Sequence, residues 1–164
     1  MIEQIDVLVP DGKPAGIRKP KDAIHRDGDL HRAAHVWIIA TDGRILLQRR
    51  SLRKENNPGE SAIDAAVRET QEELGLTIVP AELEFVASLQ EKSVLNDGKY
   101  IDNEIHEIFL VRRDVDVASL ALDPEEVAEV KWVDQLRPDA TFVPHAEEYA
   151  LLSRLVREDV QRRA

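Results

Sequence analysis

The chain has 164 residues, 43% of them hydrophobic, enough for one domain with its own core and short for two. A formal net charge of -10 argues against binding a nucleic-acid polymer, because that affinity rests largely on Lys and Arg; a small anionic substrate would need a metal ion or a local basic patch. There is no cysteine for a disulfide, thiolate metal site or nucleophile, no signal-like N-terminus and no run of about 20 apolar residues, so a soluble cytoplasmic protein without a membrane partner is expected.

In chain order, about residues 3–18 read as two short extended runs around Asp11-Gly12, a small hairpin. The stretch "HRDGDLHR" that follows reads as a polar connection. Asp42-Gly43 then separates two β-branched and aliphatic runs, a hairpin signal that predicts strands over about 33–40 and 44–50. Beyond a helix, "LEFVASLQEKS" and "NEIHEIFLVRR" predict a second strand pair around the turn-rich "VLNDGKYID", and a further strand is expected over about 128–133. Tyr149, Leu152 and Val156, with Leu151 and Leu155 beside them, form one side of an amphipathic helix over about 145–160. This mixture predicts an α+β fold, helices packed on a mixed or mostly antiparallel sheet.

The helix between the strand pairs carries the densest chemistry. Ser61 followed by Asp64 resembles a capping box, and Gly75 is a natural C-cap, so the helix is predicted over about 62–74. At about 100° per residue, Ile63, Val67, Thr70 and Leu74 form the expected core stripe. Glu69, Glu72 and Glu73 lie well round from it, on a part of the surface shared with Ala62, Ala65 and Ala66. Carboxylates at these spacings repel one another unless solvent or a cation compensates, and oxygen-rich clusters of this kind suit Mg²⁺ or Mn²⁺. Arg68 and Glu72 stand at i and i+4, a spacing that permits an ion pair. A solvated acidic face would carry the same residues.

The larger pattern is more specific. Glu60, seven residues, then "RETQEELGL" resembles the Nudix box, G-x5-E-x7-R-E-U-x-E-E-x-G-U with U bulky and aliphatic. Glu60, Arg68, Glu69, Glu72, Glu73, Gly75 and Leu76 match; Thr70 stands where U is usual, and Lys54 where the first glycine is usual. The resemblance covers about residues 3–134 and implies a Nudix fold, a mixed sheet between helices, spanning the chain as a single domain with the box at 59–76. It implies that Glu69, Glu72 and Glu73 bind Mg²⁺ or Mn²⁺, that Arg68 orients the cluster, and that a diphosphate linked to another moiety is cleaved. The general base is open among Glu60, Glu69, Glu72 and Glu104.

Within that superfamily, "HRDGDLHRAAHVWI" and "IDNEIHE" are similar to isopentenyl-diphosphate isomerases and related hydrolases. In the isomerases, histidines ahead of the first core strand and an acid-Asn-Glu triplet bind metal. His25, His31, Asp102 and Glu104 stand at roughly corresponding places, with the histidine spacing one residue shorter. A solvated or capping role fits His25 and His31 too, and a strand position suggests a structural His35. The isomerases also use a catalytic cysteine, which is absent here, and "RETQEE" has the hydrolase form, so pyrophosphohydrolase stands ahead of isomerase and of a nucleotide-diphosphate sensor. A homodimer is usual among such proteins. "NNPGES" joins Pro-Gly directly to Gly-Glu where relatives carry about a dozen more residues, so the loop between Asn57 and Glu60 is either omitted or lost.

Arg49, Arg50, Arg53 and Lys54 form the main basic patch near the box, and arginine forks suit phosphate oxygens; Arg49, Arg50 and Lys54 are the substrate-binding candidates. Trp37, Phe109 and Trp132 fit the core better than a stacking platform.

Overall fold

A computed structural model of the chain describes residues 4–50, 59–134 and 146–163, the side chains of Arg49, Arg50 and Arg163 excepted. Lys54 and Arg53 lie outside the described residues, and the roles expected of Arg49 and Arg50 rest on side chains that also lie outside them.

Strands β1 (Gln4–Leu8) and β2 (Pro14–Pro20) form the expected antiparallel hairpin. The polar stretch after it is not a plain connection. It begins in the last turn of helix α1 (Lys21–Asp27), whose Ile24 is wholly buried against Ile5 and Val7, and it ends inside strand β3 (His31–Ile39). A two-turn helix shows too little of the 3.6-residue period to be read from its sequence, and a single buried isoleucine anchors it.

Strand β4 (Ile45–Arg50), helix α2 (Ala62–Leu74), strands β5 (Glu84–Leu95) and β6 (Tyr100–Arg112), strand β7 (Val127–Val133) and helix α3 (Ala146–Arg163) complete the chain. The β5–β6 turn is shorter than expected. Asn96 and Asp97 take left-handed backbone angles (φ 52° and 55°), so the strands continue to Leu95 and resume at Tyr100.

The five-stranded sheet has the order β5-β6-β3-β4-β7. β3 runs parallel to β6, and the other neighbours are antiparallel, so the sheet is mixed. Strand alternation divides its two faces between two helices. Ile38, Leu46 and Val111 pack in one cluster with Leu74 of α2; their neighbours Ile39, Ile45 and Leu110 pack in another with Val156 of α3. Leu152 of α3 is fully buried, as the C-terminal stripe predicts, and Phe109 belongs to the core.

Helix α2 begins where its caps predict. Ser61 Oγ accepts from the Asp64 amide at 3.1 Å, and Gly75 closes the helix in the left-handed region, its amide donating to Gln71 O at 2.9 Å. Its buried stripe is rotated from the expected one. Ala66, Thr70 and Leu74 are buried while Ile63 is 42% exposed, because a small side chain in the middle of the helix lets it approach β3 closely. Thr70 suits the position where an aliphatic residue is usual in the motif, since its hydroxyl donates to Ala66 O at 2.7 Å.

A Cβ on Gly75 would stand 2.7 Å from the Ala121 Cβ and 3.0 Å from its carbonyl oxygen, at a φ of +65°. Gly75→Ala is therefore expected to destabilise the protein by about 1–3 kcal/mol, measured by urea unfolding, whereas Ser61→Ala costs about 1 kcal/mol.

Candidate functional site

The ladder between β3 and β4 has one register pair, Ile39 with Ile45, next to the tight turn that joins them. Beyond it the strands part, and a cavity of about 250 Å³ lies in the gap. Because the gap interrupts the sheet, side chains from both faces line the cavity: Glu69 and Glu73 from α2, His35 and Trp37 from β3, Glu148 and Tyr149 from α3. Trp37 and Tyr149 meet edge to face, with ring centroids 5.4 Å apart. Trp37 thus lines the cavity instead of being only a core residue.

On the α2 wall, Arg68 organises the acids. Its Nη2 donates to Glu60 Oε2 at 2.8 Å and its Nε to Glu60 Oε1 at 3.0 Å, while Nη1 donates to Glu72 Oε2 at 2.6 Å. A longer contact of 3.4 Å reaches Glu69. The Glu60 carboxylate, opposed by partial burial and joined by Glu72, holds the guanidinium pKa well above its ordinary value. Gln48 Nε2 donates to Glu73 Oε2 at 2.6 Å, fixing that carboxylate at the cavity. The three glutamates therefore separate: Glu69 and Glu73, one turn apart, face the cavity, and Glu72 lies outward against Arg68 with a 56% exposed side chain.

On the opposite side, the structure gathers residues that were only scattered candidates in the sequence. Register places Glu104 beside His31, and His106, two residues on, shares that side of β6. Glu104 Oε1 stands 3.0 Å from His31 Nε2 and its Oε2 2.9 Å from His106 Nε2. Asp102 Oδ1 is buried without a hydrogen bond, 3.6 Å from His25 Nε2 and 3.9 Å from His31 Nε2. His25, His31 and Glu104 are buried too, which overturns a solvated role for either histidine.

Among the described residues, two sets of three or more His, Asp and Glu bring their ligand atoms within 4.8 Å of one another: His25, His31, Asp102 and Glu104; and His35, Glu104 and His106. Neither contains a glutamate of α2. A buried carboxylate oxygen without a hydrogen bond between two imidazoles fits a cation at the first set. The all-carboxylate pair Glu69 and Glu73 fits a harder ion that keeps several waters.

Sequence reasoning missed Glu148 and His106. Glu148 is completely buried; its carboxylate accepts from Trp37 Nε1 at 2.6 Å and meets His35 Nδ1 at 2.8 and 3.0 Å. The signal was present, since Glu148 stands four residues before Leu152 and eight before Val156, on the apolar stripe of α3. His35, expected to be structural, is held by this contact. Burial opposes ionisation of Glu148, but His106, His35 and Trp37 outweigh it and hold the carboxyl well below the usual range. Burial likewise opposes protonation of His106, and the carboxylates of Glu104 and Glu148 raise it to about 9. Burial lowers and Glu104 raises His31, with a net upward direction. Burial, then Glu148 and Glu91, push the Tyr149 phenol up to about 12.

These shifts set a pH window for chelator-treated protein. The raised His106 contributes stability fully below its ordinary 6.5 and loses it as pH rises through about 9. The depressed Glu148 contributes fully above its ordinary 4.5 and loses it as pH falls below that. Thermal unfolding followed by circular dichroism is expected to show the highest Tm between those two ordinary values. Glu148→Gln should lower stability there by on the order of 3 kcal/mol and make the alkaline decline shallower.

The chain matches the NUDIX domain family model over residues 29–150. It is 34% identical to Nudix hydrolase 3 of Arabidopsis thaliana over 184 aligned positions, which cover 97% of this chain and 24% of that protein. The chain thus spans about a quarter of that relative's length, and the alignment is longer than the 164 residues here, so the relative carries residues without a counterpart in this chain. An isopentenyl-diphosphate Delta-isomerase of Clavibacter sepedonicus is 33% identical over 170 positions, covering 88% of this chain and 81% of that protein. Among solved structures, DR0079 of Deinococcus radiodurans has the same fold with a TM-score of 0.60 at 19% identity, covering 95% of this chain and 98% of that one. The family match and the mixed sheet between helices together show that this chain belongs to the Nudix family.

Proposed function

We propose that the chain is a divalent-metal-dependent pyrophosphohydrolase that cleaves a nucleoside- or isoprenoid-type diphosphate in the cavity between β3 and β4. The observation that carries this reading is the pair Glu69 and Glu73 on one wall of a cavity whose other wall holds Trp37 and Tyr149. One wall suits a metal-bound diphosphate and the other an apolar or planar group attached to it. Family membership and a relative named as a Nudix hydrolase support the hydrolytic class.

Glu69 and Glu73 would hold Mg²⁺ or Mn²⁺; Glu72, proposed with them from the motif, is turned toward Arg68 and would join the ion only by leaving that contact. The ion supplies charge neutralisation on the phosphoryl oxygens and a lowered pKa for bound water. Arg68 keeps Glu60 and Glu72 oriented, and Glu69, which lines the cavity, is favoured over both as the general base. Glu104 is assigned elsewhere, because its two oxygens are directed at His31 and His106. Gln48 positions Glu73. Arg49, Arg50 and Lys54 remain proposed phosphate contacts.

The His25, His31, Asp102 and Glu104 cluster and the isomerase-named relatives favour a second reading, an isopentenyl-diphosphate isomerase-like reaction. The absence of cysteine from all 164 residues places it behind hydrolysis.

Phosphate and pyrophosphate release from a panel of nucleoside and isoprenoid diphosphates with Mg²⁺ or Mn²⁺ tests the proposal. Release is expected to stop with chelator and to fall by about 10²–10⁴-fold in Glu69→Gln and by at least about 10²-fold in Glu73→Gln. Interconversion of isopentenyl and dimethylallyl diphosphates without release would give the site to the second reading, and metal-dependent binding with neither reaction would make the protein a sensor.

A further inference from the structure

We propose that His35, His106 and Glu104 form a binding site for a transition-metal dication, and that Glu104 bridges this ion to one held by His25, His31 and Asp102. The proposal concerns metal uptake and stands independently of hydrolysis.

The ligand atoms of His35, Glu104 and His106 converge within 4.8 Å, and the second group of four meets the same limit. Glu104 belongs to both and divides its oxygens between them, Oε1 toward His31 and Oε2 toward His106. A carboxylate with one oxygen on each side has the geometry of a bridging ligand.

The tautomers are also arranged. Glu148 takes up Nδ1 of His35, so in the neutral ring the proton sits there and the lone pair sits on Nε2. Nδ1 of His106 faces carboxylates as well, Glu148 at 3.6 Å and Glu91 at 3.7 Å, while its Nε2 is directed at Glu104. A carboxylate behind each ring and a shared carboxylate in front is the arrangement by which outer groups orient metal-binding histidines. Glu148 is itself pinned by Trp37 and buried in α3, so it serves as the orienting group.

The charge balance points the same way. Glu91, Glu104 and Glu148 surround two imidazoles, and a dication would offset two of these three negative charges with the rings neutral. Two imidazoles and a carboxylate suit Zn²⁺, Fe²⁺ or another borderline ion better than Mg²⁺, in contrast to the oxygen-only pair on α2. His35 also lines the cavity, so an ion there would meet it with coordination positions beyond its three protein ligands.

The test uses the full chain after chelator treatment, titrated with Co²⁺ and followed by visible absorption and equilibrium dialysis. Two equivalents with nitrogen-ligated absorption are expected. His35→Ala and His106→Gln should each lose one equivalent and keep the other, Asp102→Asn should weaken the complementary one, and Glu104→Gln should impair both. Glu148→Gln, which touches the ring and not the ion, should weaken the His35–His106 equivalent by about 10–100-fold. Wild-type Co²⁺ stoichiometry and spectra in both His35→Ala and His106→Gln would overturn the proposal and leave a proton-linked network of ion pairs. Should those variants fail to fold, histidine ¹⁵N spectra of the wild-type protein with Zn²⁺ decide. Loss of the Nε2 proton on both rings supports the site, and retention of both protons on each ring at saturating Zn²⁺ overturns it.

Discussion

β3 is held on its two sides by very different pairings, and the arrangement of the site follows from that. Along β6 it pairs in parallel over its whole length, from His31 with Glu104 to Ile39 with Arg112. Along β4 it pairs at one position. The continuous ladder satisfies the backbone on one side and makes the strand a fixed rail; the interrupted one opens a gap in the sheet. β4 finds its other partner in β7, so the gap costs the sheet little of its hydrogen bonding. A cavity in the interior of a sheet is reached by side chains that would otherwise be kept on opposite faces.

That arrangement brings two kinds of charge chemistry to one space. From α2 come carboxylates held by Arg68 and Gln48; from the other side come histidines interleaved with Glu104 and Glu148. Each set is compensated differently. Arg68 faces the acids of α2 as a permanent cation, whereas the histidines can take either a proton or a metal ion. Trp37 of β3 and Tyr149 of α3 add aromatic surface to the same cavity.

The role of α3 exceeds that of a cover for apolar strand residues. Leu152 and Val156 bury its stripe, and Glu148 extends the same stripe by one turn into the His35 and Trp37 contacts. A carboxylate at a core position is tolerable because Trp37 and His35 both hydrogen-bond it and His106 stands 3.6 Å away, and these directional contacts constrain the rotation of the helix beyond apolar packing. The hydrogen bonds of Glu148 thus set where Tyr149 stands at the cavity.

By itself the sequence determined the local features: the glutamate helix with its Ser61 and Gly75 caps, the two main strand pairs, the C-terminal apolar stripe and the family motif that ties Glu60 and Arg68 to Glu69, Glu72 and Glu73. Each depends on residues a few positions apart, where period, capping and turn chemistry act directly. Helix α1 escaped because two turns carry too little period, and the Ile63 assignment failed because close packing favoured Ala66. Only the tertiary structure decided that His31 meets Glu104, that His106 shares that side of β6, and that Glu148 reaches His35 across more than a hundred residues of chain. The parallel register of β3 with β6 and the docking of α3 made those meetings, and contacts between distant segments leave no periodic trace in the chain.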